Sequence, residues 1–158
     1  RRRECDEAAR MLGVASLREA SDWADLPTPQ RQRARHVITE IARVTQAVDL
    51  LRNDDVAAVG PLMSASHRSL CEDFEVTVPQ LDVAVDTALS AGALGARMTG
   101  AGFGGSVVAL TDDAHAVASA VEDEFAARGW AEPRWFIAEP VVGLSDLSMA
   151  QRSSTRSR

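Results

Sequence analysis

Arg97-Met-Thr-Gly-Ala-Gly-Phe-Gly-Gly-Ser-Val-Val-Ala-Leu110 is the stretch on which the fold turns. Its four glycines, at 100, 102, 104 and 105, separate a short Arg-Met-Thr run from a β-branched Ser-Val-Val-Ala-Leu run. Glycine costs backbone entropy, so such clustering implies a backbone that needs positive φ or the close approach of another group. That group is either a phosphate held by turn N–H groups or a tightly packed neighbouring segment.

Two generic phosphate motifs fail here. Gly100, Gly102 and Gly105 satisfy G-x-G-x-x-G, but that fingerprint requires a helix to open at the last glycine. Ser106–Leu110 has strand chemistry instead. A Walker loop requires lysine, and the chain's basic residues are all arginine. A strand–glycine loop–strand remains.

At 158 residues the chain is long enough for one domain with a core. Its 46% hydrophobic and 25% charged residues are ordinary for a globular protein. A net charge of −6 argues against a nucleic-acid partner. No apolar run approaches a membrane span, and no signal peptide is visible, so no membrane partner is expected. Cys5 and Cys71 read as thiols of a cytoplasmic protein. The first residues look like a severed helix: Cys5, Ala8, Ala9 and Leu12 form an apolar stripe ending at Gly13, with no capping residue before it.

Along the chain, Thr28-Pro29 predicts a helix start, and Ala34, Val37, Ile38, Ile41, Thr45, Val48 and Leu51 mark one helical face to about Arg52. Asn53-Asp54-Asp55 ends this helix and caps the next, where Pro61 is expected to kink or restart it. Thr77 and Gln80 fit a capping box ahead of a helix that Gly92 ends. Thr111-Asp112-Asp113 caps a further helix, with a stripe of Ala114, Val117, Ala118, Val121 and Phe125, stopped by Gly129. Arg134–Ala138 reads as a closing strand. The order predicts an α+β fold, with helices packed on one face of a small antiparallel sheet. Residues 1–147 form the domain, and residues 148–158 are predicted to be a disordered tail.

The run Gly95-Ala-Arg-Met-Thr-Gly-Ala-Gly-Phe-Gly-Gly105 resembles the third signature motif of the GHMP small-molecule kinases, and its wording is similar to the galactokinase family. Further blocks carry the likeness: Arg1–Ala9 with Leu12-Gly13, Arg35-His36-Val37 with Glu40 and Arg43, Ser66-His67-Arg68-Ser69-Leu70, Asp73-Phe74-Glu75-Val76 and Pro79-Gln80-Leu81-Asp82. The resemblance implies a GHMP kinase C-terminal domain from an enzyme that moves the γ-phosphoryl of ATP to galactose with Mg²⁺. It maps Thr99, Gly100, Ala101, Gly102, Phe103, Gly104 and Gly105 onto a loop beside the nucleotide phosphates. It also implies that the sugar-binding segment, the Ser-rich phosphate loop and the catalytic Asp belong to a missing N-terminal half. No catalytic residue and no metal ligand is therefore expected in this chain, which should be inactive alone. Another GHMP kinase acting on homoserine or an isoprenoid precursor, or a non-catalytic sensor or interaction module, are the rival readings.

His36, His67 and His115 fit no metal-ligand spacing, and packing or surface roles are expected. Asp112-Asp113 and Glu122-Asp123-Glu124 read as a cap and a solvated helix face. Arg97 is open to two readings, a phosphate contact or an ion pair anchoring the hairpin.

Overall fold

The computed structural model describes residues 1–138. Its elements are α1 (Arg2–Met11), a 3₁₀ turn (Leu17–Glu19), α2 (Gln30–Arg52), α3 (Val59–Glu72), α4 (Pro79–Ser90), β1 (Gly95–Thr99), β2 (Ser106–Leu110) and α5 (Ala114–Ala127). The strands form an antiparallel hairpin in which Gly95 faces Leu110 and Thr99 faces Ser106. No described helix is long and apolar enough to cross a membrane.

Strand alternation puts Ala96, Met98, Val107 and Ala109 on one face of the hairpin. Val85 and Ala88 of α4, with Val117 of α5, cover its upper part, and Leu70, Val76 and Leu81 close around Met98. The expected helix-on-sheet layer is therefore present. Helix α3 runs along the free edge of β1. There the Gly60 and Gly95 backbones touch, so that a Cβ on Gly95 would stand 2.1 Å from the Gly60 carbonyl oxygen. A separate cluster joins α1, the 17–26 segment and the first half of α2, through Ala8, Ala9, Leu17, Leu26 and Ala34, with Trp23 packed against it.

Several local expectations change. Thr28 does not cap α2: Pro29 occupies that position without a side-chain cap, and the helix opens at Gln30. Only the first half of the predicted α2 face is covered; Ile41, Thr45, Val48 and Leu51 are exposed, as is Val44 beside them, because α1 and the 17–26 segment cover only the N-terminal turns. Pro61 kinks nothing. It lies in the first turn of α3, where its missing N–H would have no helical partner in any case. The Thr77–Gln80 box does not form: Val78 is the N-cap of α4, and Thr77 Oγ1 donates to Asp82 Oδ2 at 3.3 Å instead.

Arg134–Ala138 is not a strand. A strand requires a ladder partner, and this segment pairs with neither β1 nor β2. Its aromatic side chains meet other groups: Trp135 stacks edge-on with His115 and donates through Nε1 to Glu122, while Phe136 is 84% exposed. Asn53-Asp54-Asp55 does not cap α3: Ala58 is the N-cap, without a side-chain bond, and Asp55 Oδ1 accepts from the Ala58 N–H at 3.3 Å ahead of the helix. Other expectations stand. Gly13, Gly92 and Gly129 follow α1, α4 and α5 with positive φ, and Asp113 caps α5 by accepting from the Ala116 N–H at 3.0 Å. The tail at 148–158, and the end of the predicted domain at 139–147, lie outside the described residues.

Candidate functional site: the glycine loop and its supports

The loop between β1 and β2 combines five positions of special backbone geometry, within six residues, with an exposed surface. Gly100, Gly102, Gly104 and Gly105 all have φ between 90° and 129°, and Phe103 joins them at 60°. An L-residue rarely adopts such angles, which is the physical reason for the glycine clustering. The Phe103 ring, 69% exposed, points away from the core. Thr99, Gly100 and Ala101 are exposed as well, whereas Gly102 and Gly104 are half-buried.

The glycines are not equivalent. A Cβ on Gly102 would stand 2.6 Å from both Val76 Cβ and the Val76 carbonyl oxygen, and the neighbouring Phe103 N–H donates to that oxygen at 2.7 Å. Gly102–Phe103 is thus the tip by which the loop rests on the turn after α3. Around Gly100 and Gly104 nothing stands within 4 Å of the Cβ position. Of the two explanations for glycine clustering, close packing applies at Gly102, and open backbone applies at Gly100 and Gly104.

Two side chains hold the strand that feeds the loop. His67 of α3 is buried, and its Nδ1 accepts the Met98 N–H at 3.1 Å. That bond requires the neutral ring with its proton on Nε2, which lies 3.3 Å from Asp82 Oδ1. Burial lowers the His67 pKa, and the carboxylates of Asp82 and Asp86 oppose this only in part. On the opposite face of the hairpin, Arg97 donates through Nε to the Met98 carbonyl at 3.1 Å and reaches Glu40 at 3.6 Å. Glu40 in turn accepts from Ser66 Oγ at 2.7 Å and from Arg43 Nε at 2.5 Å. Burial pushes the Glu40 carboxyl up, but Ser66, Arg43 and Arg97 outweigh it and hold it below the ordinary range. Arg97 is therefore an anchor of the hairpin.

Thr99–Gly105 lies together, as continuous loop residues must. The histidines are brought to no common site: His36 bonds Ser69 and stacks on Phe74, and His115 meets Trp135. Among the described residues, no group of three or more His, Cys, Asp or Glu could hold a metal ion. Sequence reasoning missed the buried Arg33, the support from Val76, and the partners of His67. The available signal for Arg33 was an arginine four residues before Val37, on the buried side of α2.

Chemically, such a loop can present backbone N–H groups to an anion without side-chain obstruction. It carries no general base and no cation of its own.

Residues 47–127 match the family model "GHMP kinases C terminal", and the glycine loop falls within that span. The chain is 46% identical over 154 residues to a galactokinase of Streptomyces coelicolor, covering 90% of this chain and 40% of that protein. It is 43% identical over 138 residues to a galactokinase of Haemophilus influenzae, covering 79% of this chain and 36% of the relative. It thus spans roughly two-fifths of the length of these curated relatives. Among solved structures, Lactococcus lactis galactokinase complexed with galactose superposes with a TM-score of 0.72 at 36% identity, over 81% of this chain and 36% of that one. L. major mevalonate kinase in complex with R-mevalonate shares the fold at a TM-score of 0.51 and 24% identity, over 80% of this chain and 34% of that one. The family match covers just over half of the chain, takes in the loop, and agrees with the helix-on-hairpin layer: the chain belongs to the GHMP kinase C-terminal domain family.

Proposed function

We propose that this chain forms the C-terminal domain of a cytoplasmic galactokinase, which transfers the γ-phosphoryl of ATP to galactose to give galactose 1-phosphate. Its Thr99–Gly105 loop lies against the nucleotide phosphates. The observation that carries this reading is the open backbone at Gly100 and Gly104, in a chain 43–46% identical to galactokinases. Phosphoryl transfer depends on positioning and on stabilising charge at the equatorial oxygens. An unobstructed row of N–H groups suits the second task.

ATP fits the loop in this respect, and Gly100–Gly105 would hold its phosphate oxygens through main-chain N–H groups. Bound ATP supplies the transferable phosphoryl. Mg²⁺ would be held in large part by the ATP phosphates themselves, and no step is derived through it. The sugar-recognition groups and the catalytic base would lie in the sequence that the relatives carry beyond the matched region, and the chain alone would not turn over.

The test is a hybrid enzyme: the Streptomyces coelicolor galactokinase with its matching C-terminal portion replaced by this chain. Galactose-dependent ADP release is expected from the hybrid and none from the chain alone. Gly104→Val in the hybrid is expected to lower kcat per folded molecule by about ten- to a thousandfold, as removing one transition-state donor does. An unchanged kcat per folded molecule, alongside a lower melting temperature, would reduce the loop to a structural hairpin. A folded hybrid that binds galactose without turnover would favour a sensor.

A further inference from the structure

The turn that supports the glycine loop is itself held by a buried cation two elements away. Arg33 of α2 is 1% exposed. Its guanidinium donates through Nε to Glu4 Oε2 at 2.6 Å, through Nη2 to Glu75 Oε2 at 2.5 Å, and through Nη1 to the Asp73 carbonyl. Three directions of one planar fork are thus committed, two of them to the turn after α3. Glu75 in that turn has φ 52°, an unusual angle for a non-glycine residue, and its carbonyl accepts from Arg1 Nη2 at 3.0 Å. Asp73 is fastened from its other side by Arg35 and by Ser69 Oγ. Val76, on whose carbonyl and Cβ the Gly102–Phe103 tip rests, directly follows Glu75 in the chain.

We propose that Arg33 is a positioning residue for the glycine loop: by clamping Asp73 and Glu75 it fixes Val76, and Val76 fixes the loop tip. The α1–α2 layer, which touches no residue of the loop through Arg33, thereby sets where the loop backbone stands. That the held loop meets ATP phosphate rests on the galactokinase reading above; that Arg33 holds it does not.

Amide hydrogen exchange on the 158-residue chain, resolved by NMR, separates this role from a general contribution to stability. The Phe103 amide reports the loop tip, because it donates to Val76. The Met98 amide reports the same hairpin through a different support, His67. In Arg33→Met the Phe103 amide should exchange about tenfold faster while Met98 changes less than about twofold, the signature of local rather than global opening. Unchanged Phe103 exchange, or equal acceleration of both amides, overturns the proposal. Should Arg33→Met fail to fold, Glu75→Gln weakens one arm of the clamp at a half-exposed carboxylate, and about threefold faster exchange at Phe103 alone is expected; no change there overturns the proposal equally. In the hybrid galactokinase, the same variants should raise KM for ATP more than KM for galactose. Altered Phe103 exchange with an unaltered KM for ATP would leave the clamp standing and refute the phosphate role of the loop.

Discussion

Gly102 and Gly104 share a positive φ and differ in what surrounds them, so alanine at each position divides backbone strain from steric overlap. At Gly104 the added Cβ meets nothing within 4 Å, and only the φ of 129° resists it. A residue held in such a region costs about 1–3 kcal/mol. At Gly102 the φ of 90° carries a similar cost, and the Cβ also stands 2.6 Å from Val76 Cβ and the Val76 carbonyl oxygen. Neither atom belongs to a flexible side-chain end, so the turn or the loop must shift. Overpacking of this kind adds about 1–3 kcal/mol. Gly102→Ala should therefore be about 2 kcal/mol more destabilising than Gly104→Ala, a large share of the roughly 5–15 kcal/mol that holds a domain together. With a urea m-value of about 2 kcal/mol/M, the two unfolding midpoints should lie about 1 M apart. Equilibrium urea unfolding followed by far-UV circular dichroism measures this directly. Equal midpoints, or a lower midpoint for Gly104→Ala, would refute the view that the loop tip is seated on Val76.

Three further outcomes follow from the same geometry. Burial lowers the pKa of His36 and of His67, so each binds its proton more weakly in the folded than in the unfolded chain. Their contribution is complete above the unfolded value of 6.5 and is lost as pH falls through the lower folded values, and the urea midpoint should decline between about pH 7 and pH 5. Glu4, lowered mainly by its bond from Arg33, and Glu40 add a second loss below their unfolded value of 4.5. A flat midpoint across the upper range would contradict the neutral, buried state of both histidines. Asp113→Ala removes the cap on the Ala116 N–H and should cost about 1 kcal/mol in the same unfolding assay, with less than a few tenths expected if the cap is idle. The exposed row Ile41, Val44, Val48 and Leu51 should make the isolated chain self-associate, visible as a rising mass with concentration in light scattering; Val44→Asp should reverse it, and a monodisperse wild-type chain would count against the idea.

Punctuation by glycine and periodicity of apolar residues were enough to read the hairpin and all five helices directly from the residues, and Thr111-Asp112-Asp113 marked the cap of α5. These signals are local: a glycine run requires positive φ wherever it occurs, and a 3.6-residue stripe buries one face whatever the partner. The same locality explains the failures. Arg134–Ala138 has strand composition, but a strand exists only if another offers it a ladder, and that depends on where the chain has gone. Thr77 satisfies the spacing of a capping box, yet its hydroxyl finds Asp82 first. The α2 face has uninterrupted periodicity, and burial nonetheless stops halfway along, where α1 and the 17–26 segment no longer cover it.

The candidate site divides along the same line. Gly95–Gly105 identified the loop and the family it resembles, because those residues are contiguous and their backbone angles are dictated residue by residue. No spacing rule, however, separates Gly102 from Gly104, and none connects Arg33 to a loop about seventy residues further on. Only the folded chain brings Val76 under Gly102, His67 to the Met98 N–H, and Glu4, Asp73 and Glu75 around one guanidinium. Backbone torsion is a property of a residue and its neighbours, so the sequence by itself determined the hairpin and its open loop. The groups that hold that loop in place are far apart along the chain, and their meeting was decided by the packing of α1 on α2, of α2 on α3, and of α3 against the hairpin.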